Sequence, residues 1–102
     1  MVVWTLPAKN DLRQIYNSIA YDSKIYAKRV TQNIAAKPDV LEELPRIGKV
    51  VAELNDENIR ELPIYTYRVI YEVTPTDVLI LAIVHKRQDL QAEDIISTED
   101  RT

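Results

Sequence analysis

The chain has 102 residues, 46% hydrophobic and 28% charged, a balance that excludes disorder and lets it remove roughly two thirds of its unfolded surface from water. Zero cysteines exclude disulfides, thiol nucleophiles and thiolate metal sites, as suits a reducing cytoplasm. The formal net charge is −3, but residues 89–102 hold five acidic residues against one arginine, so residues 1–88 carry +1 and the acidity belongs to a tail expected to fray.

No apolar run approaches the ~18 residues of a membrane span, and the opening MVVWTLPAKNDL lacks a basic stretch followed by an apolar one, so nothing points to export. With one glycine, no repeat and no Gly/Ser linker, the expectation is a single domain over 1–102 with a short acidic tail from about 89.

Met1–Thr5 (MVVWT) is β-branched and aromatic and reads as a first strand, after which Pro7 sits where a first helical turn tolerates proline. Ala8, Leu12, Ile15 and Ile19 then line one helical face. Asp22-Ser23 interrupts, with Ser23 as N-cap of a second helix in which Ala27, Val30 and Ile34 repeat the spacing. Pro38 breaks that helix but can open a new turn over PDVLEEL, with Leu41 and Leu44 returning to the core and Gly48 in a turn that other residues would strain.

From here the period becomes that of strands: Val50–Leu54 (VVAEL), a turn at 55–58, Ile59–Ile64, and Tyr67–Val73. In the last, Tyr67, Val69, Tyr71 and Val73 share one face and Arg68, Ile70 and Glu72 the other. Thr74-Pro75-Thr76-Asp77 is a hairpin turn, and Val78–Val84 is apolar on both faces, as a doubly covered strand should be. The segment DLQAEDII can form a short helix anchored by Leu90 and Ile95. The fold class is α+β, an N-terminal helical hairpin packed on a twisted antiparallel sheet.

Chemistry is sparse. A lone His85 makes no metal site, and no carboxylate spacing supplies ligands around it. One glycine cannot build a phosphate loop, and Ser18, Ser23 and Ser97 have no histidine nearby in sequence. What remains is a cationic set: Arg60, Arg68, His85 and Arg87, with alternation allowing Arg60 and Arg68 to share a face and one rim. Together they could hold a phosphate or carboxylate beside a dry strand. Taken singly, each arginine reads as a surface residue, Arg60 pairing across the sheet with a neighbour such as Glu72. His85 reads equally as a general acid or base and as a structural residue. Tyr65, Tyr67 and Tyr71 read as core or interface, with base stacking the less common use.

Five segments in this order resemble the RelE/ParE superfamily of bacterial type II toxin–antitoxin toxins, closer to ParE. They are W-x-x-x-A-x-x-D-L (Trp4, Ala8, Asp11, Leu12), L-x-x-L-P-x-x-G (Leu41, Leu44, Pro45, Gly48), R-E-L (Arg60, Glu61, Leu62), Y-R-V-I-Y (Tyr67 to Tyr71) and H-x-R (His85, Arg87). The resemblance implies a cytoplasmic toxin without cofactor or metal, neutralised by a cognate antitoxin and able to form a homodimer or a toxin–antitoxin hetero-oligomer.

Two activities compete under it. A RelE-like toxin enters the ribosome and cleaves mRNA, with Arg60, Arg68, His85 and Arg87 at the positions where that branch keeps catalytic groups. A ParE-like toxin inhibits DNA gyrase and is not a nuclease. The nearly neutral body, the replacement of a lysine-rich strand by VVAEL and NDENIRELP, and the absence of a tyrosine after Arg87 lean to gyrase. A third reading is a degenerate, non-toxic antitoxin-binding protein, whose Glu93, Asp94, Glu99 and Asp100 would meet a basic segment.

Overall fold

Thr5 converts strand into helix. Val2–Trp4 (β1) is extended, and Thr5, itself extended, caps helix α1 (Leu6–Ala20): its hydroxyl accepts from the Ala8 amide at 3.4 Å and donates to the Ile80 carbonyl at 2.6 Å. An N-cap of this type is worth about 1 kcal/mol. Pro7 lies in the first turn, where its missing amide removes no helical bond. Ser23 caps α2 (Lys24–Ala36) by accepting from the Tyr26 amide at 3.1 Å. At Pro38 the helix tightens into a 3-10 segment, Lys37–Glu42, which buries Pro38 and Leu41. The expected break is therefore a change of helix type. Leu44 stays exposed, because the chain has already turned away to reach the sheet.

The computed structural model describes residues 1–95. Within them, β2 (Lys49–Val50), β3 (Ile59–Ile64), β4 (Tyr67–Val73) and β5 (Val78–His85) join β1 in a five-stranded sheet of order β1-β5-β4-β3-β2. The pairs β2/β3, β3/β4 and β4/β5 are antiparallel, but β1 runs parallel to β5, with Val2 opposite Val78, so the sheet is mixed where an antiparallel one was expected. The short helical segment expected near Leu90 is a 3-10 turn over Ala92–Asp94, with Leu90 and Ile95 buried. Of the acidic tail, Glu99 and Asp100 lie outside the described residues. Among the described residues no helix is long and apolar enough to cross a membrane.

Both helices pack on one face, where Ala8, Ile15, Val30 and Ile34 meet Leu62, Val69, Tyr71, Val78, Ile80 and Ile83. The other face gathers Val51, Ile59, Ile70, Leu79, Leu81 and Ala82 under Leu90 and Ile95. Side chains such as Ile34 and Leu81, almost fully buried, each contribute about 1.5–3 kcal/mol. Alternation on β4 holds as read, yet β5 carries a bulge at Leu81, so Leu81 and Ala82 both point to the second face. Asp11 braces that bulge from α1, its Oδ2 accepting from the Ile83 amide at 3.0 Å beyond the end of β1. Burial pushes the Asp11 carboxyl above its ordinary value, and the Ile83 amide opposes this.

VVAEL is mostly not a strand. After Val50 the chain curls, Leu54 and Asn55 donating to the Val51 carbonyl at 3.2 and 3.3 Å, and this carries Glu53 back over the second face. Gly48 likewise departs from expectation, since its φ is not positive. Space demands it: a Cβ would lie 2.5 Å from the Glu61 carbonyl oxygen and 2.6 Å from the Tyr71 hydroxyl. Tyr71 is fully buried and its hydroxyl accepts from the Gly48 amide at 2.9 Å. Burial raises the phenol above its ordinary value. Gly48→Ala should therefore lower unfolding free energy by about 1–3 kcal/mol in urea titration, the usual penalty of overpacking. An unchanged midpoint would contradict this packing.

Candidate functional site

The two-residue loop Tyr65-Thr66 sets the parity of the β3/β4 hairpin. It places Arg60 opposite Tyr71 and Arg68 opposite Pro63, so the two arginines point to opposite faces of the sheet. The shared rim expected from alternation is not formed, because even-numbered positions on β3 face the same way as odd-numbered positions on β4.

Arg60, half-buried on the helix side, spends its guanidinium on backbone. Nε donates to the Glu57 carbonyl at 3.0 Å, and Nη1 donates to those of Gly48 at 2.9 Å and Arg46 at 3.3 Å. Glu72 lies opposite Ile59 and so on the other face from Arg60, which removes the cross-sheet pair expected for it.

Arg68 is only 7% exposed, and so is its neighbour Glu61. Its Nη1 donates to Glu61 Oε2 at 2.8 Å, and its Nη2 donates to Glu53 Oε2 at 2.8 Å and to the Gln88 carbonyl at 2.6 Å. Glu53 Oε2 also accepts from the Leu90 amide at 3.1 Å. Arg68 Nε is buried with no partner among the described residues. The hydrogen bonds from Arg68 hold the Glu53 carboxyl at about 2, far below its ordinary value, and the same pairing raises the guanidinium.

This cluster ties β3, the turn after β2 and the chain beyond β5 to one cation. Sequence reasoning missed Glu53 and Glu61 as its partners. The available signal was Arg68 itself, a charge on the same strand face as the apolar Ile70, which burial forces to find carboxylates.

His85 and Arg87 sit at the exposed end of β5. His85 Nδ1 accepts from the Arg87 amide at 3.2 Å, and its ring meets Tyr67 edge-on with centroids 6.2 Å apart. Tyr71 is buried and unable to stack, Tyr67 is half-buried, and Tyr65 stands at the hairpin tip. The four cationic candidates thus occupy three places: one arginine on each face and a His-Arg pair at the edge.

A feature that no motif flagged is a cleft of about 460 Å³ between the helices. Trp4, Leu12 and Tyr16 form its apolar wall, Thr31 and Ala35 close it from α2, and Lys9 and Arg13 stand on its rim. The signal was present in Trp4 and in the four-residue step from Leu12 to Tyr16, which extends the apolar stripe around α1.

The model of the family described as ParE toxin of type II toxin-antitoxin system, parDE, matches residues 2–90. This chain belongs to the ParE toxin family. Among solved structures, the ParE fold seen here is similar to a chain of the chromosomal ParDE TA system from P. aeruginosa, with 21% identity and a TM-score of 0.69 over 82% of this chain and 92% of that one. No curated protein matches. The chain is a type II toxin of the ParE family, with helices that precede most of its sheet.

Two measurements check the Arg68 cluster. Arg68→Ala leaves buried Glu61 with only the longer 4.0 Å pair to Lys49 Nζ and should lower stability by about 3–5 kcal/mol in denaturant. Glu53→Gln tests the linkage by its sign. A depressed carboxyl adds stability above its ordinary value of 4.5, and that stability is lost as pH falls toward about 2. The stability gap between wild type and Glu53→Gln should accordingly be full at pH 7 and shrink between pH ~4.5 and ~2; a gap independent of pH would rule out the pairing.

Proposed function

We propose that this toxin acts in the ParE manner, inhibiting DNA gyrase in the cytoplasm as one domain over 1–102 with an acidic tail from about 89, and that a cognate antitoxin neutralises it. One observation carries the choice over an mRNA nuclease. A nuclease needs its cations converging on one scissile phosphate, whereas Arg60 and Arg68 face away from each other and both are consumed by structural partners. Arg60, Arg68, His85 and Arg87 are accordingly assigned no catalytic step. The nearly neutral charge of residues 1–88 supports the same reading, since an RNA-lined site favours strong positive potential.

The antitoxin is assigned to the interhelical cleft. Its apolar wall suits an anchoring side chain, and Lys9 and Arg13 at the rim suit acidic residues flanking that anchor.

Purified toxin at micromolar concentration should inhibit supercoiling by gyrase while leaving mRNA on translating ribosomes intact. Cut mRNA and unaffected gyrase would replace this reading with the ribosomal one, and normal growth on expression alone would replace it with an antitoxin-binding role. Arg13→Glu, an exposed change, should weaken capture by the antitoxin encoded in the adjacent frame at least tenfold, about 1.4 kcal/mol, without altering gyrase inhibition. Unchanged capture would place the antitoxin elsewhere.

A further inference from the structure

Tyr65 occupies the first position of the β3/β4 loop with a φ of 54°. Glycine and asparagine reach this left-handed region easily, whereas a bulky side chain is strained there. A residue that breaks a local rule is a pointer to a role beyond the turn itself. The ring of Tyr65 is 46% exposed, and its hydroxyl accepts from Asn33 Nδ2 at 2.6 Å, which fixes it against α2. Tyr26, 49% exposed, stands across a cleft of about 260 Å³ floored by Ile19 and Val30. That volume lies below the ~300–1,000 Å³ of small-molecule sites and fits a single large side chain.

Cations dominate the sequence of α2: residues 23–38 contain Lys24, Lys28, Arg29 and Lys37 and no acidic residue, a net of +4. Arg29 lies one helical turn from both Tyr26 and Asn33. From the sheet side come Lys86, whose amide donates to the Thr66 carbonyl at 2.7 Å, and then Arg87. Asp22, Asp39 and Asp89 are the acidic groups nearest in sequence to these cations. The overall charge of −3 therefore conceals a basic, tyrosine-bearing end.

We propose that this end is a docking surface for an acidic protein segment carrying one aromatic or branched aliphatic anchor, the anchor seated between Tyr26 and Tyr65. Tyrosine and arginine beside a small apolar cleft are the residues that concentrate binding energy at protein interfaces. A nucleic acid is the weaker fit, because single strands need a run of stacking rings along an uninterrupted basic track and the chain as a whole is negative. The surface is separate from the interhelical cleft: Thr31 and Ala35 line that cleft from the opposite side of α2 to Tyr26 and Asn33. It therefore stands or falls independently of the gyrase and antitoxin assignments.

The test is an NMR titration of ¹⁵N-labelled toxin with a synthetic peptide of Glu and Asp residues around a central Trp, beside a Lys-substituted peptide and an oligo-dT strand. The acidic peptide should shift the amides of Asn33, Tyr65 and Lys86, and both Tyr65→Asn and Arg29→Glu should weaken it at least tenfold. Tyr65→Asn relieves the backbone and gives up the Asn33 hydrogen bond, so it should remain folded, with the amide spectrum of the sheet unchanged away from the hairpin tip. Shifts confined to Trp4 and Tyr16, tighter binding of oligo-dT, or undiminished binding by both folded variants would each overturn the proposal.

Discussion

Everything on the helix-free side of the sheet depends on the buried guanidinium of Arg68. A desolvated cation there is tolerable only because two carboxylates meet it, Glu61 from the adjacent strand and Glu53 from a turn that must fold back to reach it. Glu53 and the Gln88 carbonyl extend the reach of the same cation to the segment after β5, whose Leu90 and Ile95 cover Ile70, Leu79 and Leu81. One charge thus decides where three stretches of irregular backbone lie. Without it the second face would carry an open apolar surface rimmed by unpaired acids.

This division of labour separates structural charge from exposed surface. Arg60 and Arg68 hold backbone and carboxylates in place, while the helix side offers the more voluminous of the two clefts and the hairpin end offers exposed rings. The aromatic side chains that line these clefts include Trp4, Tyr16 and Tyr65, and the arginines are not among the lining residues except Arg13.

The helical hairpin was readable because its determinants are local: the apolar spacing from Ala8 to Ile19, the cap at Ser23, and the interruption at Pro38, although the Thr5 cap passed unnoticed inside the first strand. The identities of β1, β3, β4 and β5 and the alternation of β4 were readable for the same reason. What was not readable is relational. The parallel partnership of β1 with β5, the bulge at Leu81 and the hairpin parity that separates Arg60 from Arg68 are set by which strands meet and by one loop length. VVAEL opens on two β-branched valines, yet Ala52 and Glu53 are poor strand formers and the chain curls at Val51 into a turn that brings Glu53 to Arg68. Gly48 was correctly singled out for the wrong cause, since crowding by a distant tyrosine is invisible to local backbone reasoning.

The pairing of Val2 with Val78 has a temporal consequence. During synthesis the first strand leaves the ribosome long before its partner, and at roughly 5–20 residues per second it waits several seconds for the last strand to appear. Until then the sheet lacks its parallel edge, Thr5 lacks the Ile80 carbonyl and Asp11 lacks the Ile83 amide. A nascent toxin assembled this way remains incomplete for nearly the whole of its own translation.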